Sequence, residues 1–382
     1  KNHLSYEATI DIFQWINSFH NANLLPADKT SLWKMLGRKN LEKSRRYYCK
    51  SCTEYLGLKD KKTKLLKIQC SCKKCGPKQK ENHLGHFLYI GLTSQIKQLL
   101  KKPNIAEALQ YRFHRKKKNI DSLEDIYDGQ NYPDLCKPGK FLENWHNFSF
   151  TFNTDGCSVS ESSRTSAWPI FIQINELPPH MRKKYILLAG IYVDDHHPPM
   201  SNFLRPFIVE MKKLFKTGIT WNPTDTTEVT SRMIVVTSSL DSPARSDVTC
   251  MTRFNGYFGC LYCYVPGKTL KQGKLVYPLE QSFGELRLDS QIRADTKYAF
   301  KECIKINGIK GISPLISLPL FNIRRGVVVE TMHAVFLGVV QLHKPYYIGD
   351  PNTLKAIDYY LFMIKPPSRR SRKPRSIKTY LQ

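Results

Sequence analysis

Acidic residues are scarce in this chain. Against 59 lysines and arginines stand only 32 aspartates and glutamates, a formal net charge of +27 over 382 residues. So large a basic excess is hard to assign to an idle surface and points to a polyanionic partner, most simply nucleic acid. Long apolar runs are also missing. None reaches the roughly 18 residues that a membrane span requires, and the longest, Tyr185 to Val193, has the length of a strand. No leader with a basic start and an apolar centre is visible, so a nuclear setting with DNA is expected and a membrane is not. The first residue is Lys1 rather than methionine and a helical pattern begins at once, so the sequence is expected to be a piece of a longer protein. What is present suffices for folding: 41% hydrophobic residues exclude wholesale disorder, and the length allows two or three domains.

The 11 cysteines do not read as a disulfide framework. Cys49 and Cys52 form one C-x-x-C knuckle, Cys70, Cys72 and Cys75 form a C-x-C-x-x-C cluster, and Cys260 and Cys263 form another C-x-x-C pair. This is metal spacing and fits a reducing compartment. Two knuckles about 20 residues apart have the form of a zinc ribbon. Its ligands are expected to be Cys49, Cys52, Cys75 and one of Cys70 or Cys72. Four thiolates on one Zn²⁺ leave no open position, so this site would be structural and would fold a segment too polar to have its own core.

Helical spacing marks residues 4–20 and 29–36, and again 87–118, where Ile96, Leu99, Leu100, Ile105, Ala108 and Leu109 carry the apolar stripe. The last of these ends in a basic run containing Arg112, Arg115, Lys116, Lys117 and Lys118. Such a run is either a solvated helix face or a phosphate contact. The tail from Pro366, with Arg369, Arg370 and Arg372, reads as a basic linker or DNA-contacting arm. The expected organisation is a helical segment at 1–40, zinc-ribbon-like knuckles at 41–80, a basic helical region and linker at 81–143, a core at 144–345, and a basic tail at 346–382 that continues into a missing C-terminal part.

The pattern changes to strands at residue 147. Asn147 to Asn153 alternates with period two and runs into Asp155. Strands follow at Trp168–Ile174 and Tyr185–Val193, then an amphipathic helix at Ser201–Thr217, then a strand at Ser231–Leu240 that ends in Asp241. This β-β-β-α-β order is the α/β, RNase H-like arrangement, incomplete at its C-terminus. It would lay the first and fourth strands side by side and bring Asp155 and Asp241 within one metal-binding span. Paired carboxylates suit Mg²⁺ or Mn²⁺, which take hard oxygen ligands and keep positions for water and phosphate. Two such ions can activate a nucleophile and stabilise a leaving oxygen in phosphodiester transfer. Each aspartate also has a plainer reading: Asp155-Gly156 is a turn dipeptide, and Asp241-Ser-Pro243 can cap a helix.

Several strings resemble one family. Asp155-Gly-Cys, Ser166-Ala-Trp168-Pro169-Ile, Asn175-Glu-Leu177-Pro178-Pro179, Asp241-Ser-Pro243-Ala244-Arg245, Gly259-Cys260-Leu-Tyr-Cys263 and Gly326-Val-Val-Val-Glu330-Thr-Met332-His333 resemble the CACTA (En/Spm-like) cut-and-paste transposases, animal type. The spacing of Asp241 to Cys260 and Cys263 is more distantly similar to the RAG recombinase core. The resemblance implies a DDE/D metal site with Asp155 and Asp241 as its first two carboxylates. It also implies zinc at Cys260 and Cys263 completed by a downstream histidine pair, transposon ends and target DNA as partners, and a homodimer. The sequence departs from this pattern after Cys263: it has no H-x(3–5)-H pair, and its only later histidines are His333 and His343. Glu330 is a candidate third acid, although the family places its final glutamate later. Its alternative role is to hold a helix start with His333. Two other classes stay open: an inactive or domesticated remnant that binds DNA through zinc-dependent segments, and a zinc-scaffolded protein-interaction module.

Overall fold

The structure is a computed structural model that describes residues 6–19, 25–35, 42–59, 70–71, 83–117, 119–159, 164–271, 273–278, 284–348 and 350–363. Lys1–Val328 forms one compact unit and Val329–Gln382 a second. In the first unit, helices α1 (Tyr6–Phe19) and α2 (Lys29–Met35) precede strands β1 (Lys43–Cys49), β2 (Tyr55–Gly57) and β3 (Leu84–Ile90). Helices α3 (Leu92–Leu100), α4 (Ile105–Ala108), α5 (Tyr111–His114) and α6 (Asn131–Cys136) follow. Next come β4 (Phe148–Thr154), β5 (Cys157–Ser158), β6 (Ser166–Ile174), α7 (Pro179–Lys184), β7 (Leu187–Asp194) and α8 (Met200–Lys216). The hairpin β8 (Ile219–Thr224) and β9 (Thr227–Ser231) leads to β10 (Met233–Leu240) and α9 (Ser242–Thr249). Strands β11 (Lys268–Thr269) and β12 (Leu275–Val276), α10 (Asp289–Glu302), α11 (Ile323–Gly326) and β13 (Val327–Val329) complete it. The second unit holds a π-helix (Met332–Val340) and helices α12 (Gln341–Ile348) and α13 (Pro351–Met363).

The fold is mixed α/β around one sheet in the order β13-β10-β4-β6-β7-β3-β1-β2, with β5 paired to β6. β10 runs parallel to β4, whereas β4–β6, β6–β7, β7–β3 and β3–β1 are antiparallel. Both faces of the central strands are buried. Along β10, Met233 and Val235 join the large core, while Ile234 and Val236 join a smaller cluster with Tyr132 and Leu142. Period-two alternation thus feeds two layers rather than one apolar and one wet face. The large core also takes Phe148, Phe150 and Phe152 from β4 and Phe203, Leu204 and Phe207 from α8.

One sequence expectation is corrected here. Residues 87–90, expected at the start of a helix, belong to β3. Phe87 and Tyr89 are buried while Leu88 is not, and the helix begins only after Gly91. Its N-terminus is held by Glu210 of α8, which accepts from the backbone of Leu92 (2.9 Å) and Thr93 (2.8 Å) and from the Thr93 hydroxyl (2.6 Å). A carboxylate there satisfies orphan amides and meets the positive end of the helix.

Candidate functional site

Asp155 and Asp241 follow directly on β4 and β10. The parallel register pairs Asn153 with Ser239, so both aspartates lie two residues past a matched pair, at the same end of neighbouring strands. Neighbouring strands are about 4.8 Å apart. Side chains reinforce this level. The Asn153 amide donates to the Ser239 carbonyl at 2.6 Å, and the hydroxyls of Thr151 and Thr237 lie 2.6 Å apart. The glycine after Asp155 has a packing reason: a Cβ on Gly156 would lie 2.7 Å from Cε2 and Cζ2 of the buried Trp168. Asp241 also caps α9, its Oδ1 accepting from the Ala244 amide at 2.7 Å. The helix-cap reading and the strand-end reading therefore describe the same residue in one geometry.

The same sheet end gathers groups that the sequence did not single out. β7 runs in the direction of β4, so the segment 194–197 leaves the sheet on that side. Ligand atoms of Asp194, Asp195 and His196 lie within 4.8 Å of one another. Hydrogen bonding to Asp195 and Asp194 pushes the His196 imidazole up. His197 packs its ring 4.9 Å from that of Trp168, and its Nδ1 lies 3.1 Å from Asp247 Oδ2 on α9. The string Asp194-Asp-His-His197 at a predicted strand end was the available signal.

Glu330 lies in the second unit. Its carboxylate accepts from the amides of Met332 and His333, both at 2.7 Å, and lies 2.7 Å from His333 Nδ1. These hydrogen bonds, the His333 amide first, hold it below the usual carboxylate range.

At the first knuckle, the sulfurs of Cys49, Cys52 and Cys70 lie within 4.8 Å of one another, with Cys52 and Cys70 at 3.3 Å. Zn–S bonds of about 2.3 Å imply sulfurs about 3.8 Å apart, so the trio fits three corners of a zinc tetrahedron. The turn is closed by the Thr53 amide on the Cys49 carbonyl (2.8 Å) and the Cys49 amide on the Glu54 carbonyl (2.9 Å). Thr53 takes the left-handed conformation, φ 58°. Cys72 and Cys75 lie outside the described residues. Cys260 and Cys263 lie together on the wall of a cavity, and the Tyr262 amide donates to Cys260 Sγ at 3.3 Å. Burial pushes the Cys263 thiol up. Among the described residues no third potential ligand groups with this pair, so by itself it fits only half of a zinc site.

Residues 122–301 match the transposase family tnp2. The match supports a transposase role in general, with the DNA binding that such a role implies. No curated protein matches the chain. The tnp2 segment contains Asp155, Asp241, Cys260, Cys263 and the 194–197 segment. Cys49, Cys52, Cys70 and Glu330 lie outside it.

Within the tnp2 segment, Glu176 is fully buried. It accepts from the Ser149 amide (2.9 Å), the Ser149 hydroxyl (2.8 Å) and the Tyr132 hydroxyl (2.8 Å). Burial nonetheless pushes its carboxyl up. The Asn175-Glu176 dipeptide is thus structural, joining β6 to β4 and to the segment that covers them. Two members of the basic run serve the same cover. Arg115 grips Asp128 through two nitrogens at 2.7 and 2.8 Å, and Arg112 donates to the Tyr132 hydroxyl at 3.1 Å. Lys117 lies 3.7 Å from Asp128, and Lys116 is exposed. Lys118, Arg369, Arg370 and Arg372 lie outside the described residues.

Proposed function

We propose that the chain is part of a CACTA-type cut-and-paste transposase with an RNase H-like core. Its reaction would be metal-dependent hydrolysis at transposon ends followed by 3′-hydroxyl attack on target DNA. The observation that carries this reading is the level placement of Asp155 and Asp241 on adjacent parallel strands, inside the segment that matches a transposase family. Asp155 and Asp241 would hold Mg²⁺ or Mn²⁺. Bound there, the metal supplies charge that activates the attacking oxygen and stabilises the leaving one. The chain supplies the rest. The Asn153–Ser239 bond fixes the spacing of the two acids, Trp168 limits where Asp155 can move, and the α9 cap sets the Asp241 rotamer. Zn²⁺ at Cys49, Cys52 and Cys70 would be structural, and basic segments would contact phosphates. Nuclear location and a homodimer on paired ends belong to the same reading.

The test is Mn²⁺ titration followed by electron paramagnetic resonance, with strand cleavage of end-sequence DNA measured in parallel. Asp155→Ala and Asp241→Ala are expected to abolish tight Mn²⁺ binding and any cleavage while DNA binding survives. Wild-type Mn²⁺ affinity in both variants would sink the assignment. A second reading, a DNA-binding remnant without cleavage, is favoured by one observation: both oxygens of Glu330 already hold a helix start. In that case the chain would bind DNA in a salt-sensitive way and show no metal-dependent nicking.

A further inference from the structure

The insertion between α9 and α10 lines a half-open cavity of about 540 Å³. Phe254, Tyr262, Tyr264 and Tyr277 contribute to its walls, together with Arg245 and Lys268. The tyrosines are fixed in place. The Tyr262 hydroxyl donates to the Val327 carbonyl at 2.8 Å, and the Tyr277 hydroxyl accepts from the Gly259 amide at 2.9 Å. Tyr264 stacks on Arg287, whose Cζ lies 4.4 Å from the ring centroid. Arg287 is fully buried, and its remaining nitrogens donate only to the carbonyls of Cys263, Phe258 and Asn307. Its Nη1 has no partner. No carboxylate hydrogen-bonds this buried guanidinium, and Asp295 acts on it only through space, so a cation stands directly behind that ring. Arg245 lies on the first turns of α9, its amide bonded to the Asp241 carbonyl at 2.9 Å, so the cavity adjoins the helix that Asp241 caps.

Rigid aromatic rings and cations at one cavity are the chemistry that takes a nucleobase by its face and the attached phosphate by its charge. A duplex is far too wide to enter such a space, so only a base released from its pair would fit. We propose that this cavity binds an unpaired nucleotide of the DNA strand that passes Asp155 and Asp241. The base would stack against Tyr264 and its aromatic neighbours, and the phosphate would lie between Arg245 and Lys268. The placement of that strand rests on the function proposed above, but the binding does not require cleavage.

The probe is a single-stranded oligonucleotide carrying one 2-aminopurine, compared with the same label in a duplex and titrated with the full chain. Stacking on the cavity rings should quench the single-stranded label. Tyr264→Ala should weaken binding about 10-fold or more, the loss expected for one base–aromatic stack, whereas Tyr264→Phe should retain it. Lys268→Glu, an exposed change that leaves the fold alone, should weaken binding several-fold even where Tyr264→Ala fails to fold. Unchanged affinity and quenching in Tyr264→Ala or Lys268→Glu would overturn the proposal. So would zinc binding to the wild type at Cys260 and Cys263 with complete loss of quenching, since that result gives the cavity to the metal. Asp155→Ala separates the two ideas: it should lose Mn²⁺ and keep quenching. Retained Mn²⁺ there would count against the catalytic reading alone.

Discussion

Replacing Gly156 with alanine should damage the metal site proposed at Asp155 and Asp241 without touching a carboxylate. The new Cβ would meet Trp168 at 2.7 Å from Cε2 and Cζ2 and at 3.0 Å from Nε1, where carbon atoms prefer about 3.5–4.0 Å. Something must therefore move by on the order of 1 Å. Trp168 is poorly placed to do so. It is buried, its Nε1 donates to the Ser166 hydroxyl at 3.1 Å, and His197 packs against its ring. The backbone of Asp155-Gly156 is then the part that yields. Overpacking of this kind costs about 1–3 kcal/mol, or roughly 2–6 °C of Tm for a domain of this size. Metal ligands need to be held within about 0.5 Å, so Mn²⁺ affinity should fall about 10-fold or more. Trp168→Phe removes the atoms that clash. The double variant Gly156→Ala/Trp168→Phe should therefore be less damaged than the two single effects added together, by about 1 kcal/mol or more in a double-mutant cycle. Melting curves and Mn²⁺ titrations of the four proteins give both numbers. Additive effects, or unchanged Mn²⁺ affinity in Gly156→Ala, would show that Trp168 does not fix the position of Asp155.

Removing zinc with a strong chelator should lower Tm and release about one ion per chain, and Cys52→Ser or Cys70→Ser should do the same; a chain purified without zinc at unchanged Tm would refute the knuckle. Glu176→Gln should cost about 1–3 kcal/mol in urea unfolding, because an amide cannot accept all three donors now on the carboxylate. Burial raises the folded-state pKa of Glu176, so its contribution is full below the unfolded value of about 4.3 and fades as pH rises through the folded one. The wild-type advantage over the Gln variant should therefore shrink above about pH 4. Asp128 behaves in the opposite way: hydrogen bonding to Arg115 lowers its pKa. Its contribution is present above about pH 3.9 and is lost as pH falls towards the folded value, so Asp128→Asn should flatten the acid limb of the stability profile.

The central strands were legible because each carries its own pattern. Phe148, Phe150 and Phe152 alternate, and the apolar run of β10 is bounded by a polar hairpin and by Asp241. β3 was not legible. Its segment Leu84–Ile90 runs, with only Gly91 between, into the helical stripe of Leu92, Ile96, Leu99 and Leu100. What makes it a strand is tertiary: pairing with β1 on one side and β7 on the other, which no local propensity encodes. The neighbouring placement of Asp155 and Asp241 was legible because it required only the direction of one crossover. The 194–197 segment required the direction of every intervening strand as well. The internal bonds of Arg112 and Arg115 were invisible for a similar reason, since their partners Tyr132 and Asp128 come from the next segment of chain.

Strand direction explains why so much chemistry collects on one side of this sheet. β10, β4, β7 and β1 all run the same way, as the parallel pair and the successive antiparallel steps require. Their C-terminal ends carry Asp241, Asp155, the 194–197 segment and Cys49 in that spatial order. At about 4.8 Å per strand, the acid pair spans one step. The histidine-bearing segment lies about 10 Å from Asp155 and the cysteine knuckle about 19 Å away. A DNA strand laid along this edge advances about 3.4 Å per base pair, so the whole row would face roughly seven base pairs. Only the first step is short enough for a shared metal. On the proposed reading the knuckle is therefore too distant to act on a phosphate bound at a metal between Asp155 and Asp241, and any effect of zinc removal on cleavage would come through the packing of β1 and β3 against β7 or through contacts further along the DNA.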